Sequence, residues 1–205
     1  MKYIHIFVCT ALLFAQLAGA QKQSSKNKKG KSDVSEQKEN PKKGFVVIET
    51  TLGNITIQLN DSAAPKHAAN FRKLAKEGYY DSTTFHRVIP NFMIQGGDPN
   101  SKNGEKSTHG MGGPEYRIDA EIGLSHDRGV IAAARQGDQI NPQRMSNGSQ
   151  FYITVVPTTF LDGQYSVFGK VVEGMDVADK IVAVPRDPRD NPIEKVMINK
   201  VIVIE

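Results

Sequence analysis

Residues 85–98 read Phe-His-Arg-Val-Ile-Pro-Asn-Phe-Met-Ile-Gln-Gly-Gly-Asp. The segment alternates apolar and polar side chains in the manner of a half-buried strand. It turns at Pro90-Asn91 and enters a second strand. A chain carrying this pattern must build part of its fold from extended, paired backbone. Arg87 stands among large apolar residues, with the amide of Gln95 two residues past Met93. A cation is rarely placed on such a surface unless it is paired or used.

Other segments share the pattern. Phe45–Thr50 and Asn54–Leu59 alternate and are β-branched, and Thr51-Leu52-Gly53 between them reads as a hairpin turn. Asp61-Ser62 followed by Pro65 marks a helix start. Ala68, Phe71, Leu74 and Ala75 then recur at helical spacing up to Gly78. Short strands are predicted at about 84–88, 93–95, 117–119, 129–133, 150–154 and 167–171. A second helix is predicted at 174–181 and a terminal strand at 195–205. Strands in this number with two helices suggest a closed antiparallel barrel capped by helices; the strands alone also allow a sandwich. About 160 residues suffice for one domain with a full core.

The ends of the chain read differently. Lys2, the apolar run Ile4–Leu17 and Ala18-Gly19-Ala20 have the composition of a secretory signal peptide, residues 1–20. The run is short for a membrane span, so no span is expected after cleavage. Cys9 is the only cysteine, so cleavage leaves no disulfide, thiol nucleophile or thiolate metal site. Residues 21–43 hold eight lysines against Asp33, Glu36 and Glu39, with Val34 as their only aliphatic residue. They cannot bury enough apolar surface to order themselves, and read as a disordered, Lys-rich linker. The whole chain carries +4; removing the linker's +5 and the +1 of Lys2 leaves residues 44–205 at −2. The basic balance therefore belongs to the tail. The domain shows no basic stripe with interleaved aromatics, which argues against nucleic-acid binding.

Read with Gly148-Ser149-Gln150-Phe151-Tyr152-Ile153 and Phe160-Leu161-Asp162-Gly163, the segment 85–98 resembles the active face of a cyclophilin, a peptidyl-prolyl cis/trans isomerase. The resemblance runs from Gly44 to the end. It decides for the mainly β, closed eight-stranded barrel capped by two α-helices. It implies isomerisation of X-Pro bonds with no cofactor and no metal. Rotation of that bond is slow because amide resonance raises a barrier of about 20 kcal/mol. An arginine that donates to the imide nitrogen once it becomes pyramidal acts mainly in the twisted state. The resemblance gives that role to Arg87. It lines a proline pocket with Phe92, Met93, Tyr152 and Leu161, and sets Phe160 and Tyr165 on the rim. Gln95 either holds Arg87 or binds the substrate backbone, and Gln150 shapes the same groove. Ala134 and Arg135 match the stretch whose backbone pairs with the substrate. His86 is expected to make a structural hydrogen bond, and His109, in the long loop 97–116, to be a loop residue rather than a ligand.

Three departures stand out. Phe160 occupies a position where familiar eukaryotic members carry tryptophan, which loses an N–H donor and implies weaker binding of the drug cyclosporin. Tyr165 stands where histidine is frequent. The segment 136–146 is longer than usual; it either sets substrate choice or is a surface excursion. Members with Phe160 in place of that tryptophan resemble bacterial cyclophilins. The expected protein is a monomeric, exported isomerase, periplasmic or otherwise secreted, acting on proline-containing peptides and unfolded exported proteins. Two other readings are a non-catalytic proline-binding or chaperone module on the same fold, and an interaction protein working through its Lys-rich tail.

Overall fold

The structure, a computed structural model, describes residues 44–204. The signal-like segment 1–20 and the linker 21–43 lie outside the described residues.

Strands β1 (Phe45–Thr50) and β2 (Gly53–Leu59) form a hairpin running from Phe45↔Gln58 to Thr50↔Gly53. The two-residue turn Thr51-Leu52 is held by the Thr50 hydroxyl, which donates to the Gly53 carbonyl (2.6 Å) and accepts from Leu52 N–H (3.0 Å). Helix α1 (Pro65–Lys76) buries Ala68, Phe71, Leu74 and Ala75, as its spacing predicts. Its N-terminus is not capped by Asp61 or Ser62. The Glu121 carboxylate accepts from the N–H groups of Lys66 and His67, both at 3.0 Å, and so satisfies donors that the helix itself leaves open.

The remaining elements are β3 (Arg87–Ile89), β4 (Met93–Gly96), β5 (Val130–Ala133), β6 (Phe151–Thr154), β7 (Val167–Glu173), α2 (Met175–Val182) and β8 (Ile198–Ile204). Gly174, with φ +85°, opens α2; a Cβ there would lie 2.1 Å from the Asn54 carbonyl, so only glycine fits.

All eight strands belong to one antiparallel sheet in the order β3-β4-β6-β5-β7-β2-β1-β8. The expected closed barrel is not formed: the sheet curls into an open half-barrel whose edges are β3 and β8. Between these edges runs only the isolated bridge Thr84↔Met197, with neighbouring bonds such as Phe85 N–H to the Val196 carbonyl. At that edge the outward N–H of Val88 in β3 donates to the carbonyl of Asp190, in the loop that leads to β8, and so is not available to β8 itself. The expected strand at 117–119 is likewise reduced to one bridge, Ile118↔Ser146. Arg144 (φ +57°) and Gly148 (φ +102°) bend the partner backbone away on both sides of Ser146.

The core lies inside this curl, under α1. Phe151 meets Phe71 (5.5 Å), Tyr80 (5.8 Å) and Phe85 (6.2 Å) edge-on, and all four residues are buried.

Candidate active site

The hairpin β3–β4 turns where the sequence predicts, with Asn91 in the left-handed region (φ +57°) that asparagine tolerates. Pairing then sets side chains in rows. Arg87 lies opposite Gln95, Gln95 opposite Tyr152, and Tyr152 opposite Ala132. Directly paired residues share a face. The row therefore stands on the face of the sheet opposite to Phe151, whose side chain points to the core.

On this outer face Arg87, Phe92, Met93, Gln95, Ala134, Arg135, Tyr152, Leu161 and Tyr165 line one pocket of about 200 Å³. Met93 and Tyr152 form its buried floor and pack with Val130, Ala132 and Val167. Arg87 is exposed at the mouth. Among the described residues, none accepts a hydrogen bond or an ion pair from its guanidinium group. A structural salt bridge, the rival account of this arginine, is absent there.

Two residues of the expected set stand beside the pocket. Phe160 is 65% exposed on the rim and packs its ring on Phe92 at 5.6 Å. Gln150 is buried; its oxygen accepts from the Gln95 amide (3.0 Å), and its own amide donates to the Gly112 carbonyl (2.7 Å). Gln95 thus anchors to Gln150, not to Arg87. Gln150 also lines an adjoining groove of about 440 Å³ with Gln95, Ala134, Arg135 and Met145.

The two backbone candidates separate. Ala134 donates to Gln150 and accepts from Asn147, both at 2.9 Å, so its main chain is engaged. Arg135 has a side chain only 3% exposed, yet the whole residue is half-buried, so the accessible part is its main chain. Of the two, Arg135 is the one whose main chain is accessible.

His126 and Asp162 form a support that the sequence reading missed. The Tyr152 hydroxyl is 2.9 Å from His126 Nε2, and His126 Nδ1 is 2.9 Å from Asp162 Oδ1. The same oxygen accepts from His126 N–H at 2.7 Å, which ties the pocket floor to the rim segment carrying Leu161. These bonds hold the Asp162 carboxyl below the usual carboxylate range. Burial pushes the Tyr152 phenol up, so it remains protonated. A histidine ahead of β5 and the Asp of Phe160-Leu161-Asp162-Gly163 were visible in the sequence, but no spacing rule joins them.

His86 does not make its expected hydrogen bond. It is buried and neither ring nitrogen has a partner. Burial drives its pKa down to about 4; Asp98 opposes the shift, and the Thr84 carbonyl opposes it weakly without meeting hydrogen-bond geometry. His109 is a loop residue, bonded to the Gly104 carbonyl (3.3 Å) and the Asn191 amide (2.9 Å). Among the described residues no cluster of His, Cys, Asp and Glu is arranged to hold a metal, and no helix is long and apolar enough to cross a membrane.

The family model for cyclophilin type peptidyl-prolyl cis-trans isomerases matches residues 45–203. The chain belongs to this family. It is 39% identical over 161 residues to a peptidyl-prolyl cis-trans isomerase-like 1 protein of Gibberella zeae, covering 78% of this chain and 94% of the relative. A peptidyl-prolyl cis-trans isomerase of Schizosaccharomyces pombe is 41% identical over 160 residues, covering 78% and 98%. Among solved structures, a Cryptosporidium parvum cyclophilin type isomerase, crystallised in the presence of the dipeptide Ala-Pro, superposes with a TM-score of 0.69 at 33% identity. The match covers 78% of this chain and 99% of that one. The protein is therefore a cyclophilin-type peptidyl-prolyl isomerase.

Proposed function

We propose that this cyclophilin binds an X-Pro segment across the outer face, with the proline ring on Met93 and Tyr152 between Phe92 and Leu161, and that Arg87 catalyses the rotation. The residue before proline pairs with the main chain of Arg135, and Gln95 positions the substrate backbone. As the C–N bond twists, its nitrogen gains a lone pair and accepts from Arg87. The planar ground state has no such acceptor, so the bond forms chiefly in the transition state. No proton is transferred, and no base is required. The observation that carries this reading is Arg87, without a partner among the described residues, at the mouth of an apolar pocket of about 200 Å³.

The signal-like first twenty residues favour export, and the clients proposed are unfolded exported proteins. Phe160, which lacks an indole N–H, favours weak cyclosporin binding and a bacterial type, against which stand the eukaryotic relatives named above. A periplasmic location rests on the signal-like segment, and Tyr165 is proposed to alter substrate preference more than turnover. Catalysis is tested by the cis-to-trans rate of a short X-Pro peptide with residues 21–205 and with Arg87→Ala. Acceleration lost in the variant supports the assignment; peptide binding without acceleration by the wild type would leave only a binding module. Export is tested by N-terminal sequencing of the protein recovered from the cell envelope or medium, where Gln21 is the expected first residue.

A further inference from the structure

The segment 136–146 is bound to the pocket rim by charge. Asp138 Oδ1 accepts from Arg135 Nη1 (2.5 Å), and Asp138 Oδ2 accepts from Arg144 Nη2 (2.8 Å) and Nε (3.2 Å). Each arginine also reaches the strip between Leu161 and Tyr165. Arg135 Nε donates to the Gln164 carbonyl (3.0 Å), and Arg144 Nη1 donates to the Gly163 carbonyl (2.9 Å). The Arg135 guanidinium also lies 4.4 Å from the centroid of the Tyr165 ring. One carboxylate thus bridges two cations that hold two consecutive carbonyls of the rim. Arg144 sits in the left-handed region (φ +57°), a conformation that persists in a non-glycine residue only when its surroundings fix it. Asn141 supplies part of that fixing: its amide donates to the Met145 carbonyl (2.8 Å) and its oxygen accepts from Met145 N–H (3.2 Å).

We propose that Asp138 and Arg144 are positioning residues for substrate binding: with Arg135 they clamp the strip 161–165, and so set the separation between the Leu161–Tyr165 wall and the Arg135 main chain. Neither residue lines the proline pocket. The inference rests on the pocket assignment above and gives the long loop a task in it. The clamp secures a wall and does not touch the twisting bond, so its loss weakens binding more than turnover.

The test is the KM and kcat of wild type, Asp138→Ala, Asp138→Glu and Arg144→Gln toward a neutral X-Pro peptide, at low and high salt. Asp138→Ala and Arg144→Gln should raise KM roughly two- to tenfold and leave kcat within about twofold. Asp138→Glu should recover part of the loss. The wild-type KM should rise with salt, because the pairs are partly exposed, and that dependence should vanish in the variants. Unchanged KM and salt response in folded variants overturns the clamp. So does an equal fall in kcat with no change in KM. If Asp138→Ala fails to fold for want of an anion beside buried Arg135, Arg144→Gln, at a half-exposed site, decides alone. If the wild type does not accelerate rotation, the catalytic reading fails, and the clamp is judged separately on the peptide's dissociation constant.

Discussion

Phe151 and Tyr152 are neighbours in β6 and serve opposite regions of the molecule. Phe151 points into the curl of the sheet, where four aromatic rings meet and nothing polar is required. Tyr152 points out, onto a floor whose hydroxyl is tied to His126 and through it to Asp162. The inner face is held by shape alone. The outer face, which holds an open pocket, combines shape with a chain of hydrogen bonds. One strand therefore carries core and pocket residues on alternate positions.

Substitutions can break that contrast. Phe151→Ala should cost about 3–5 kcal/mol of stability, read from the denaturant midpoint, while the remaining folded molecules keep their turnover. Arg87→Ala should do the reverse: kcat/KM should fall by roughly 10²–10³ with the unfolding midpoint almost unmoved, since the side chain is exposed and has no partner among the described residues. If Phe151→Ala slows the folded enzyme as much as Arg87→Ala does, the two faces are not separable.

Acid sharpens the contrast further through His86, which stands in sequence between Phe85 of the core and Arg87 of the pocket. It is buried, with neither ring nitrogen partnered among the described residues. Its folded pKa, about 4, lies below the roughly 6.5 of an unfolded chain. The unfolded state binds more protons in that window. The stabilising contribution is full above about pH 6.5 and is lost as pH falls toward 4, at no more than about 1.4 kcal/mol per pH unit. His86→Phe loses no hydrogen bond and should flatten this slope relative to wild type in stability curves measured from pH 7 to 4. A smaller effect is expected of Tyr152→Phe, which keeps the floor but leaves buried His126 Nε2 unpaired. It should lower stability by about 1–3 kcal/mol and change kcat/KM little. The smallest is Phe160→Ala: stability within about 0.5 kcal/mol, with a raised KM reporting the rim contact to Phe92.

Much of this was legible in the chain. The alternation of 85–98 gave the β3–β4 hairpin, and the spacing of Ala68, Phe71, Leu74 and Ala75 gave the buried face of α1. The motif residues that the family resemblance singled out do converge on one face. What remained hidden depends on pairings across the sheet. Asp162 approaches His126 only because 3D packing brings distant loops together. At the open seam the Asp190 carbonyl takes the outward N–H of Val88, and no composition signals that. The Ala134 main chain looks available in sequence, and only its partners in 147 and 150 show that it is engaged. The charges of Arg135, Asp138 and Arg144 were visible as a polar excursion, but their common target, the carbonyls of 163 and 164, was not.

The pairing of β8 with β1, which sets Ile204 opposite Phe45, has a consequence for synthesis. The first strand of the domain waits for the last. Until residues 198–204 have emerged, β1 has one bare edge, and its hydrogen-bonding groups can recruit any other extended chain. This contact spans almost the whole domain and should form late. An isomerase of X-Pro bonds is thus itself vulnerable until residues 198–204 arrive, and deleting that strand should yield aggregation rather than a smaller working enzyme.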